Sequence, residues 1–358
     1  MDLELSDDQR LLQESVGRLI ADRYQFDQRR ATAASAEGWS RSQWRVFVDL
    51  GLTALPFPED CGGLGLGGVE MMIVGEAFGR GLVLEPYLAS IVLAGTAISL
   101  GGSNQQKEIF LKAIIEGSTI AAFADNAALT VRQTAGGWQI DGTAQVVLGG
   151  RFADLFVLPT SDAMFLVAAD SAGLYRRGYR IHGGGDAADL RLDAVALPAT
   201  ARLDNSGVST RVIETGIAFI AAEAAGAMQA ALDLTVEYLK VREQFGKPIG
   251  TNQALQHRAA EMLVEVEQAR SAAMFAALLE DEADIETRAR GYAAVKAVIG
   301  KSARFVGQNA VQLHGGIGVS EEHAISHYFR RLTATGILFG DTGKHVERLA
   351  ELGGFTRA

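Results

Sequence analysis

From residue 206 to the C-terminus the chain carries one proline, Pro248, and Ala, Glu, Leu, Gln and Arg dominate. Proline in a helix interior costs about 3 kcal/mol, whereas those residue types give up little on entering a helix. This third of the molecule is thereby committed to long helices. Helices are expected at about 208–241, 251–280, 285–312 and 321–352. Their breaks are the 246–250 loop, the acidic run Asp281-Glu282-Ala283-Asp284 and the 314–318 loop. Four long helices with short connections pack as a bundle.

The remainder divides by period. Residues 5–118 read as mostly helical. Ser6-Asp7-Asp8-Gln9 ahead of Leu11, Leu12, Val16, Leu19 and Ile20 is an N-cap signal followed by an apolar stripe at helix spacing. Trp44, Val46, Phe47, Leu50 and Leu52 form a second stripe. Three further helices fit 68–118, with breaks near Gly81, Pro86 and Gly101-Gly102. Alternation then replaces helical spacing. Trp138 to Val146 reads as a hairpin turning at Asp141-Gly142, the preferred type I′ pair. A short strand ends at Pro159, Met164 to Ala169 is another apolar run, and Leu190, Leu192, Val195 and Leu197 alternate. The expected domains are 1–118 (helical), 119–203 (small β) and 204–358 (four-helix bundle).

At 358 residues the chain is long enough for such a set of domains, and its formal net charge of −10 with no basic run argues against a nucleic-acid surface. Cys61 is the only cysteine, so no intrachain disulfide can form. The acidic start Met1-Asp2-Leu3-Glu4 lacks the features of a signal peptide, and Glu223 interrupts the most apolar stretch, 216–232. A cytoplasmic soluble protein without membrane spans is expected. The histidines show no metal-ligand spacing with Cys61. His323 and His327 are four apart, but a helix face explains that spacing better than a metal does, and no metal site is expected. Gly183-Gly184-Gly185 lacks the flanking strand and helix of a nucleotide fingerprint and reads as a loop.

Chemistry concentrates in two segments. Arg242-Glu243-Gln244-Phe245-Gly246-Lys247-Pro248-Ile249 follows the first bundle helix. A guanidinium there can grip a pyrophosphate through paired hydrogen bonds, and an aromatic ring offers a flat surface to a purine or flavin. Gln312-Leu313-His314-Gly315-Gly316-Ile317-Gly318 follows the third. A helix C-cap needs one glycine; three in four residues also let backbone approach a ligand closely.

The order of domains and these motifs resemble the acyl-CoA dehydrogenase family. Leu50-Gly51-Leu52 through Pro58-Glu59-Asp60-Cys61-Gly62-Gly63-Leu64-Gly65 is similar to its "LGL…PEEYGGLG" signature, and Glu76-Ala77-Phe78-Gly79-Arg80 to its "EELGR". The resemblance runs nearly the whole length. It implies an acyl-CoA dehydrogenase fold, an FAD cofactor and an acyl-CoA substrate desaturated at its α,β-bond. It implies an oligomer built on the bundle and an electron acceptor. It also implies FAD contacts from Arg242, Gln244, Phe245, Gln253, Gln312, Gly315 and Gly316, reaching across an interface.

Three departures qualify what the resemblance implies. Phe123-Ala124-Asp125-Asn126-Ala127-Ala128-Leu129 stands where the family has "TEPGAGSD". Val146-Val147-Leu148-Gly149-Gly150 replaces the flavin-bonding "W-I-T/S" segment. Near Leu338-Phe339-Gly340-Asp341-Thr342-Gly343, where the family keeps its basic glutamate, Asp341 is the nearest carboxylate. The alternative position on the first bundle helix falls at Gly216-Ile217, with Glu214 rotated off that face. Retained donating segments with altered receiving segments point to a non-catalytic subunit of a heteromeric enzyme. In that reading a second acyl-CoA dehydrogenase-like chain completes the site, as in the paired enzymes of bacterial steroid side-chain catabolism. The alternatives are a homo-oligomer using Asp341 as base and a flavin-free homologue.

Overall fold

The computed structural model describes residues 4–353. Its first layer is helical. α1 (Asp7–Arg23) starts on a reciprocal cap: Gln9 N donates to Ser6 Oγ, and the Gln9 side chain accepts from Ser6 N at 2.9 Å. α2 (Phe26–Ala34) and α3 (Arg41–Asp49) follow. Trp44 and Phe47 are buried, but α3 ends before Leu50, which is exposed, while Leu52 re-enters the core after the turn at Gly51. α4 (Gly68–Gly81) is succeeded by a π-helical stretch, Leu88–Gly95, that runs into α5 (Thr96–Gly101). A third stretch joins α6 (Asn104–Gln106), the π-turn Lys107–Leu111 and α7 (Lys112–Ile115). The breaks fall at the expected glycines and proline.

The middle layer is two four-stranded sheets. β1 (Ala121–Phe123), β4 (Leu155–Pro159), β5 (Ala163–Ala168) and β8 (Arg202–Asp204) form one. β2 (Ala127–Thr134), β3 (Gly137–Leu148), β7 (Asp186–Pro198) and β6 (Leu174–Arg180) form the other, in the order β2-β3-β7-β6. The expected hairpin at Asp141-Gly142 is not formed. The turn is Ala135-Gly136, and β3 runs straight through Gly142. Gly142 sits instead beside a register shift against β7, at φ +136°, where a Cβ would stand 2.2 Å from the Ala128 carbonyl oxygen. Its glycine serves a bulge, and pairing on both sides of β3 overrides the local turn preference.

The last layer comprises α8 (Val208–Val241), α9 (Gln253–Leu278), α10 (Ile285–His314), α11 (Ala324–Ile337) and α12 (Thr342–Glu351). The two-residue strands β9 (Glu243–Gln244) and β10 (Lys247–Pro248) make a hairpin between α8 and α9. The expected single helix over 321–352 is two helices. Phe339 and Gly340 take φ +57° and +98°, and the Asp341 carboxylate then accepts from Lys344 N at 2.9 Å to start α12. Glu214 and Arg288 meet at 2.6 Å inside the bundle, both buried.

α8 also binds the layers together. A Cβ on Gly79 of α4 would lie 1.8 Å from the Glu223 carbonyl oxygen, and one on Gly226 of α8 would lie 1.9 Å from that of Glu76. The two helices therefore cross backbone against backbone at paired glycines. Among the described residues α8 is the one helix long and apolar enough to span a membrane, and 72% of its most apolar window is buried inside the fold.

Candidate functional site

α8 ends at Val241, and the chain reverses through the β9–β10 hairpin. Gln244 pairs with Lys247, which leaves Phe245 and Gly246 as a two-residue turn at φ +57° and +77°. Both central residues at positive φ make the type I′ geometry that suits a twisted hairpin. Among the described residues nothing covers this turn: Phe245 is 99% exposed, and Arg242 and Gln244 are exposed as well. Gln253, the first residue of α9, is exposed close by in sequence.

Gln312, Gly315 and Gly316 are exposed at the C-terminal end of α10. Gly315 takes φ +65°, and a Cβ on Gly315 or Gly316 would meet open space, so no packing demand explains the second glycine. A ring contact joins the two segments. Tyr238, one turn before Arg242, stacks on His314 with centroids 4.5 Å apart, and the His323 ring lies 4.9 Å from that of His314. His314 Nδ1 bonds the Ala310 carbonyl at 2.8 Å, and burial lowers the pKa of the ring. The residues expected to touch a cofactor are thus gathered at one end of the bundle. They face outward, with a cation, a ring and bare backbone on offer. That donor set fits the pyrophosphate and flat rings of a dinucleotide.

Asp341 is elsewhere. Thr342 beside it packs on Gly300 of α10, and the Lys296 ammonium nearby donates to the Thr335 carbonyl at 2.9 Å. Sixteen residues of α10 separate Lys296 from Gln312, about 24 Å at 1.5 Å per residue. Burial lowers Lys296 to about 8, and the Asp341 charge works against that shift. The Asp341 carboxylate itself is engaged in capping α12.

The cavity beside Leu338 has a volume of about 80 Å³ and is walled by Leu148, Gly149, Phe219, Glu223 and Arg331. Pockets that bury drug-sized ligands run to roughly 300–1,000 Å³. A Cβ on Gly149 would stand 2.6 Å from that of Ala89, so the β layer packs directly on the π-helical stretch. Rings fill the adjoining interior: Phe78 and Tyr87 are 5.1 Å apart, and Tyr87 stacks on Phe219 at 5.5 Å. Two of the three carboxylates around the cavity are occupied, and Asp186 keeps an unpartnered Oδ1. Glu223 pairs with Arg331 at 2.9 Å, and Glu85, raised by burial, accepts from the Tyr24 hydroxyl at 2.5 Å. On α8 the Gly216 position faces Leu93 and Phe339, while Glu214 is spent on Arg288. The role of Phe339 in filling this space left no sign in the sequence beyond a single apolar residue before Gly340.

His327 packs edge-on against Phe26, with centroids 5.0 Å apart, and its Nδ1 lies 3.0 Å from Arg29 Nη1. His323 accepts from Ile325 N as the cap of α11. Among the described residues no group of three or more His, Cys, Asp or Glu side chains is arranged to hold a metal ion.

Residues 6–118 match the acyl-CoA dehydrogenase N-terminal domain, and residues 208–353 match the acyl-CoA dehydrogenase C-terminal domain. The acyl-CoA dehydrogenase IpdE2 of Mycolicibacterium smegmatis is 30% identical over 350 residues, covering 96% of this chain and 98% of its own length. Acyl-CoA dehydrogenase FadE27 of Mycobacterium tuberculosis is 29% identical, with 87% of each chain covered. Among solved structures, the ChsE4-ChsE5 complex from Mycobacterium tuberculosis superposes with a TM-score of 0.93 at 26% identity over 100% of both chains. The Tcur3481-Tcur3483 steroid ACAD G363A variant gives a TM-score of 0.89 at 27% identity over 97% of both chains.

Proposed function

Because this chain belongs to the acyl-CoA dehydrogenase family, whose members are oxidoreductases acting on CH–CH donors, we propose that it is the non-catalytic, FAD-contacting subunit of a heteromeric acyl-CoA dehydrogenase. A second acyl-CoA dehydrogenase-like chain supplies the base and the main flavin pocket. The observation that carries this reading is the contrast between the two halves of the site. The outward-facing set around Arg242 and Phe245 is exposed, whereas the cavity beside Leu338 is about 80 Å³ and the Asp341 carboxylate is engaged in capping α12. The likeness to the ChsE4-ChsE5 complex and to the Tcur3481-Tcur3483 steroid ACAD supports a two-chain enzyme.

When bound, FAD would supply the hydride acceptor for α,β-desaturation of an acyl-CoA. This chain's own residues bind and orient. The Arg242 guanidinium meets the pyrophosphate, Phe245 covers a ring face, and Gln244, Gln253 and Gln312 offer amide contacts. Gly315 and Gly316 let backbone come close. Asp341 takes no proton and holds the start of α12. The enzyme works in the cytoplasm on an acyl-CoA and passes its electrons to a separate acceptor. Residues 1–118, 119–203 and 204–358 are its proposed domains. The decisive measurement is flavin content. The chain purified alone should be flavin-poor, and co-expression with its partner should give about one FAD per pair of unlike chains. A homo-oligomer with one FAD per chain would overturn the reading.

A further inference from the structure

The cleft between α2, α11 and the β6–β7 loop contains a buried cation that no carboxylate meets. Arg29 is 4% exposed. Its Nε donates to the Leu82 carbonyl at 2.9 Å, and its Nη1 lies 3.0 Å from His327 Nδ1. The other ring nitrogen, His327 Nε2, is 3.0 Å from the Glu321 carbonyl oxygen. That arrangement puts the ring proton on Nε2 and leaves the ring neutral. Among the described residues Arg29 Nη2 has no hydrogen-bond partner, and Arg29 has no ion pair. Arg331 and Arg330 add charge of the same sign, which Tyr328 and Glu85 offset in part. Burial and then Arg331 lower the Arg29 pKa to about 10. A buried charge without a partner is costly, and native proteins pair such groups.

Arg29 Nη2 points at the one wall without side chains. Gly183, Gly184 and Gly185 take φ +91°, +98° and +83°, and a Cβ on Gly184 would stand 2.8 Å from that nitrogen. Successive backbone N–H groups in a turn can form a concave anion-binding surface, and here the Gly184 N–H is already given to the Ile181 carbonyl at 3.3 Å. The cleft has a volume of about 360 Å³ and Arg330 also lines it. The acidic residues on its walls are largely committed elsewhere. Glu37 pairs with Arg41 at 2.9 Å and Glu321 with Arg330 at 2.8 Å. Asp186 is the carboxyl that remains, and burial raises it to about 6.

We propose that this cleft binds a phosphate-class oxyanion, held by the Arg29 guanidinium and the bare backbone of residues 183–185, with the Arg330 guanidinium, which Glu321 shares at 2.8 Å, at its edge. None of these residues belongs to the 242–253 or 312–316 segments, so the site is separate from the one assigned to FAD.

The test titrates inorganic phosphate into the full chain by calorimetry in 150 mM sodium chloride, with melting followed in parallel. One phosphate per chain should bind saturably and raise the melting temperature. Arg29→Gln and Arg330→Gln should each weaken binding at least tenfold while melting near wild type in phosphate-free buffer. If Arg29→Gln does not fold, Arg330→Gln carries the comparison. Glycerol 1-phosphate distinguishes the source. Tighter binding of the ester marks an esterified ligand, and tighter binding of phosphate marks the free ion. No saturable uptake by wild type, or uptake unchanged in the folded variants, overturns the proposal.

Discussion

The ring of Phe339 stands against the backbone of Gly216: a Cβ built on Gly216 would lie 3.0 Å from Phe339 Cε2 and 2.9 Å from Leu93 Cδ2. The loop position and the helix position at which the family resemblance seeks a carboxylate are thus packed on each other, one ring against one bare turn of α8. Gly216→Ala should destabilise the fold by about 1–3 kcal/mol through overpacking, more than the gain of roughly 1 kcal/mol that alanine brings to a helix. The double variant with Phe339→Ala should cost less than the sum of the single changes. Urea unfolding of the four proteins reads this, and strict additivity would show that the contact is slack.

Asp341 separates capping from catalysis. Asparagine caps as well as aspartate, so Asp341→Asn should leave stability and flavin reduction by an acyl-CoA nearly unchanged in the two-chain enzyme. Asp341→Ala should lose about 0.5–2 kcal/mol of stability with α12 frayed. Stopped-flow reduction with FAD content controlled is the measurement. A drop on the order of 10²–10⁴-fold in the asparagine variant would place the base in this chain.

Arg242→Ala and Phe245→Ala should leave the melting of the isolated chain unchanged, since both side chains are exposed. In the assembled enzyme Arg242→Ala should weaken FAD retention by about 1.5–3 kcal/mol, the usual worth of a hydrogen bond to a charged group. Equilibrium dialysis of FAD tests this, and equal retention in wild type and variant would return Arg242 to an ordinary helix end.

Glu280 gives a signed pH dependence. Burial raises its carboxyl to about 7, against the pull of Arg211, and its Oε2 would lie 2.8 Å from a Cβ on Gly68. Between the unfolded value near 4.5 and the folded value near 7 the folded chain keeps a proton that the unfolded chain has released. Stability should therefore fall as pH rises through that window, by on the order of 1–3 kcal/mol from this group. Glu280→Gln should flatten the fall, as read by urea midpoints at pH 5 and pH 7.5. An equally steep profile in the variant would assign the slope to other groups.

The sequence disclosed most where a residue type had one physical use. The expected helix at about 208–241 matches α8, Val208–Val241, because no proline falls inside it. Ser6 with Gln9 announced its cap for the same reason. It misled where a local preference competed with pairing partners distant in sequence. Asp141-Gly142 has turn chemistry, but β7 claims the other edge of β3 and turns that glycine into a bulge. The break at 338–341 was legible as a glycine followed by an aspartate able to cap a helix from Thr342, although the bundle helix was drawn unbroken over 321–352. The exposed cofactor segments were readable because they are contiguous. The filling of the space around Phe339, and the isolation of Arg29, depend on residues far apart in the chain and leave no periodic trace.

The turn at Phe245 has a consequence for supply. An L-residue held at positive φ costs roughly 1–2 kcal/mol, and an uncovered aromatic side chain adds an adhesive point at the tip of a hairpin. The free chain recovers neither cost. A surplus of it is the kind of species that chaperones hold and proteases clear, so a cell does best to make this chain in step with whatever closes over that tip.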